Sequence, residues 1–146
     1  MKILGLSLLI LAGGGIGCLR VAALRGRVQS LSAAVRFIDW WMREVRYTAA
    51  PREELLARAK RDETFCELLS LSGKRNHFTG EDTVAFRRFV DGLGSTDLEG
   101  QLSHGAFYVK VFEEKVEEAE RIAACRSRTE LMMWTGGAAV LALLLL

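Results

Sequence analysis

Apolar and charged positions are sharply segregated along this chain. No ionised side chain occurs from Ile3 to Leu19 or from Leu131 to Leu146, while charges are spread through the stretch between them. The first run, seventeen residues, is at the short end of a bilayer span. Arg20 can turn its guanidinium to the headgroups while Val21, Ala22, Ala23 and Leu24 extend the helix along the interface. Gly13, Gly14 and Gly17 supply a small-residue packing face, and Trp134 in the second run has the amphipathic ring of a membrane interface. That second run covers only ~24 Å as a helix against a hydrocarbon layer of ~30 Å, so it spans with local thinning or by pairing with the first. The pattern predicts an N-terminal membrane anchor over 1–24 and a C-terminal membrane segment over 131–146. A cleaved or lipidated leader fits less well: Gly15-Ile16-Gly17-Cys18 lacks the expected leucine, and no small-x-small site precedes a polar stretch.

Between the ends, residues 25–130 read as helical. Strand alternation and hairpin turns are missing, and the single proline leaves long helical stretches intact. A first helix is expected from Gly26 to Tyr47, where Val35, Ile38, Trp41, Met42 and Val45 form one stripe and Arg36, Asp39, Arg43 and Glu44 stay solvated. After a turn at Thr48-Ala49-Ala50, Pro51 suits the first position of a new helix. Leu55, Leu56, Ala59, Phe65, Leu68, Leu69 and Leu71 then place one or two short helices before a loop at 72–77. Thr79, with Asp82 three residues on, predicts a capped helix whose inner face is Phe86, Phe89, Val90 and Leu93 and whose end is marked by Gly92 and Gly94. Thr96 and Glu99 suggest a second capping box. It opens a long helix with a seam at Leu98, Leu102, Gly105, Val109, Phe112, Val116, Ala119 and Ala123, packed antiparallel on the first. Glu113, Glu114, Glu117, Glu118 and Glu120 lie on its exposed side.

Charge narrows the function classes. Two of the 20 basic residues precede residue 21 and none follows residue 130, so the middle holds 18 basic and 18 acidic side chains and is formally neutral. Lys74-Arg75 and Arg87-Arg88 are isolated pairs, which argues against nucleic acid as a partner. The excess of arginine at Arg20, Arg25, Arg27, Arg126 and Arg128 predicts a cytoplasmic middle domain with both termini across the membrane.

Catalytic chemistry is not expected. Asp97 and Gln101 lie one turn apart with no nucleophile and base beside them, and His77 and His104 fall in different segments. Cys18, Cys66 and Cys125 lack metal spacing. Gly13-Gly14-Gly15-Ile16-Gly17 lacks the lysine and hydroxyl of a phosphate loop. Neither a cofactor nor a metal is predicted.

One segment carries a distinctive pattern: Phe89-Val90-Asp91-Gly92-Leu93-Gly94-Ser95-Thr96-Asp97-Leu98-Glu99-Gly100-Gln101. With Glu44-Val45-Arg46-Tyr47, Pro51 and the apolar ends that include Trp134 and Gly136, it resembles the stage III sporulation protein AB family, which is related to type II secretion F-like helical domains. Arg52 stands where the family more often has leucine. The resemblance implies an all-α cytoplasmic helical bundle flanked by N-terminal and C-terminal transmembrane helices, in the mother-cell membrane during sporulation. It implies a non-enzymatic membrane scaffold or adaptor of the stage III sporulation channel or secretion-like complex. The implied partners are a stage III sporulation ATPase, other membrane-complex subunits and membrane lipid, with self-association left open. A membrane-bound regulatory enzyme is the alternative. Glu44, Tyr47, Pro51, Phe89, Leu93, Gly94, Asp97 and Gln101 are the structural or partner-contact candidates. In physical terms Leu93 packs the preceding helix, Gly94 permits a tight exit, Asp97 favours the start of the next helix and Gln101 bridges to a nearby polar group.

Overall fold

The computed structural model describes the backbone of residues 2–48, 50–70 and 76–144, with side chains for 21–48, 50–70, 76–126 and 133. Five helices follow in chain order: α1 (Lys2–Thr48), α2 (Arg52–Ala59), α3 (Glu63–Ser70), α4 (Gly80–Asp91) and α5 (Leu98–Leu144). The all-α reading holds. The helix expected from Gly26 is instead the latter part of α1, because nothing between Lys2 and Thr48 breaks the backbone ladder.

Among the described residues no helix is long and apolar enough to cross a membrane. This corrects the flanking transmembrane helices, and with them the membrane localisation and the membrane scaffold role. What the described parts of α1 and α5 show is amphipathic packing: each buries one face against the bundle and leaves the opposite face charged. Most of the side chains of the segments 1–24 and 131–146, and the orientation inferred from them, lie outside the described residues, as do residues 71–75, which include most of the loop expected at 72–77.

The two long helices run antiparallel. Met42, late in α1, lies where a Cβ on Gly105, early in α5, would come within 2.6 Å of its Cγ. Arg27, earlier in α1, shares a partner with Lys115, further along α5. The expected seam is the inward face of α5: Gly105, Phe112 and Ala119 are buried, and Leu102, Val109, Val116 and Ala123 are half-buried. Leu98, its first member, stays exposed because it begins the helix beyond the edge of the core.

Phe37 is the centre of the core. Its ring lies 5.3 Å from Phe65 of α3, 5.9 Å from Phe86 and 6.2 Å from Phe89 of α4, and 6.4 Å from Trp41. Edge and tilted approaches of this kind add to the area that aromatic side chains bury. Phe112 of α5 closes the cluster against Phe86 at 6.1 Å.

The short helices take their bounds from local hydrogen bonds. Pro51 is the residue before α2, not its first helical position, since its ψ of 151° is extended while its carbonyl accepts the N–H groups of Glu54 and Leu55. Asp62 ends the turn between α2 and α3, its Oδ1 accepting from the backbone of Thr64 at 2.9 Å and Phe65 at 3.3 Å. The capping box of α4 is present: the Thr79 hydroxyl accepts from the Asp82 N–H, and the Asp82 carboxylate accepts from the Thr79 N–H. The second expected box is not. Asp97 caps α5 instead, accepting from Gly100 N–H at 3.1 Å, because Leu98 is already the first helical residue and Thr96 lies one position too early.

Candidate functional site

The α4–α5 corner is built from residues that each have one local task. Phe89 and Leu93 are buried, closing the inner face of α4. Gly94 takes φ +74°, the left-handed region open to glycine, and its α-carbon faces the Arg52 side chain closely enough that a Cβ would sit 3.2 Å from Arg52 Cδ. The Arg52 guanidinium in turn donates to the Val90 carbonyl at 3.2 Å, tying the start of α2 to the end of α4. Gln101 donates its amide to the Thr96 carbonyl at 3.0 Å, so it braces the turn behind it. His104 completes the corner: its ring stacks on Phe89 at 5.6 Å, its Nε2 is 3.2 Å from the Phe89 carbonyl, and it fills the space that a side chain on Gly92 would need.

Pro51, Gly94 and Gln101 come together on the wall of one groove of about 340 Å³. Arg46, Arg52 and Trp41 also line it. Trp41 is 1% exposed, and its indole nitrogen is the buried side-chain polar atom that has no hydrogen-bond partner among the described residues. The other candidates lie apart from the groove's lining. Glu44 pairs with Arg58 at 3.3 Å, Tyr47 is 80% exposed at the end of α1, and Asp97 serves as the cap.

The strongest electrostatic feature escaped the sequence reading, which gave Asp82 only a capping role. Its side chain is fully buried, and Arg27 Nε at 2.9 Å, Arg27 Nη2 at 3.3 Å and Lys115 Nζ at 3.1 Å all donate to its oxygens. Burial alone would raise the carboxyl's pKa. The opposing hydrogen bonds from Arg27, Thr79 and Lys115 prevail and hold it well below the usual carboxylate range. The bond to Asp82 likewise raises Arg27 against the cost of its own burial. A carboxylate with no exposed surface and protein donors on both oxygens is poorly placed to accept a proton or a ligand; it braces α1, α4 and α5. Its signal was in the sequence: Asp82 lies four and seven positions before Phe86 and Phe89, on the apolar stripe of α4, where a charge has to be paired.

Among the described residues no group of three or more His, Cys, Asp or Glu side chains could hold a metal. The geometry thus defines a small helical domain with an ion-braced core and a corner-side groove. Residues 2–70 match the family model described as Stage III sporulation protein AB (spore_III_AB), which bears out the family resemblance over that part of the chain. Glu44, Tyr47 and Pro51 fall inside the match; the segment from Phe89 to Gln101 lies beyond it. No curated protein and no solved structure matches the chain.

Proposed function

We propose that the chain is a non-catalytic protein-binding domain that acts with other stage III proteins during sporulation, a stage III ATPase among its partners. The match of residues 2–70 to the sporulation family is the observation that carries this reading. The side-chain chemistry agrees with it. Asp82, Arg27 and Lys115 are occupied with one another, and His104 is engaged by Phe89 and Gly92. Such groups support a rigid bundle better than a reaction. Affinity isolation of the tagged full chain from sporulating cells is expected to recover the ATPase or another stage III protein. Repeated recovery of none of them argues against the reading.

A further inference from the structure

Three features of the groove between the end of α1, the start of α2 and the α4–α5 corner bear on what it binds. Its charged lining residues are Arg46 and Arg52, and no carboxylate is among the lining side chains. Arg52 is held by the Val90 carbonyl, whereas the Arg46 side chain makes no hydrogen bond or ion pair among the described residues. The rest of the wall is largely apolar, including Val45, Leu55 and the half-exposed Leu98.

We propose that this groove accepts an acidic side chain of a partner protein, presented on a segment with an apolar residue next to it. The proposal rests on the reading of the chain as a protein-binding domain. A carboxylate supplies what the wall lacks: negative charge for the two guanidiniums, in charge-assisted hydrogen bonds. The neighbouring apolar residue covers Leu98, the exposed apolar side chain of the wall. A neutral amide would leave both arginines without a counter-charge.

The test titrates the isotope-labelled full chain with an acetylated, amidated peptide Ser-Leu-Glu-Leu-Glu-Ser and follows the backbone amide resonance of Gly94, which lines the groove. A saturable shift is expected. Binding should be weaker by about tenfold or more for the Ser-Leu-Gln-Leu-Gln-Ser peptide and for Arg46→Gln, the loss of one good ionic hydrogen bond. Because the Arg46 side chain has no partner among the described residues, Arg46→Gln is expected to keep the wild-type melting temperature. A resonance that does not move, or equal midpoints for the two peptides, overturns the groove as a carboxylate site. Affinity isolation separates this from the broader reading. A folded Arg46→Gln chain that recovers stage III proteins as well as wild type does also overturns the groove, while a wild-type chain that recovers none defeats the protein-binding reading itself.

Discussion

Arg27 and Asp82, 55 positions apart in the chain, meet through two hydrogen bonds of 2.9 and 3.3 Å at a carboxylate with no exposed surface. Lys115 reaches the same carboxylate from α5, so one acidic side chain ties three helices. Removing it leaves two cations facing a buried gap. Asp82→Ala should cost about 2–4 kcal/mol in urea denaturation, somewhat under the usual figure for breaking a buried pair, because Arg27 and Lys115 keep 18% and 20% of their side chains in solvent. A loss below ~1 kcal/mol would show that the brace is not a main stabilising element.

The same carboxylate sets an acid limit on stability. Its folded pKa lies below the ordinary aspartate value of ~3.9, so between the two the unfolded chain binds the proton more readily and stability rises with pH. The stabilisation is complete above about pH 5 and is lost as pH falls through 4 and lower. Asp82→Asn should therefore differ most from wild type near neutral pH, with the gap narrowing in acid. Parallel unfolding curves for the two proteins from pH 7 to pH 3 would contradict this.

How much of this was legible in the sequence follows the range of the interactions. Local ones were readable: the Thr79–Asp82 box depends on residues three apart, and the α5 seam follows helical spacing. One local assignment missed by a single residue, with Asp97 and not Thr96 as the cap, since both are good capping types and only the backbone decides between them. Long-range pairing was not readable. No spacing rule joins Arg27 to Asp82 to Lys115, and the unpartnered Trp41 indole belongs to a residue that the sequence marks only as core. The apolar ends misled the fold class because low charge was taken as a membrane signal, whereas among the described residues no helix meets the requirement for crossing one.

Close packing of α1 on α5 depends on Gly105. A Cβ there would lie 2.6 Å from Met42 Cγ and 2.7 Å from Met42 Sδ. Gly105→Ala should cost about 1–3 kcal/mol through overpacking. Combining it with Met42→Ala should cost less than the sum of the two single changes, since each relieves the misfit the other makes. Additive costs in thermal denaturation would show that the helices do not meet at this point.

At the corner, Gly94 and Asp97 can be separated by substitution. Gly94→Ala places a Cβ at a positive φ and against Arg52, at a cost of about 1–2 kcal/mol. Asp97→Ala removes the cap of α5 for about 1 kcal/mol, whereas Asp97→Asn keeps a capping oxygen and should cost ~0.5 kcal/mol or less. Melting curves at matched concentration check the order. An Asp97→Asn protein less stable than Asp97→Ala would contradict the cap assignment.

The central claim, that this chain works in stage III of sporulation, is tested most directly by counting heat-resistant spores from cells lacking it. The account predicts a loss of heat-resistant spores, with spore numbers restored by the wild-type chain and not by Asp82→Ala, whose bundle is destabilised. Normal spore numbers in cells shown to lack the chain would contradict it.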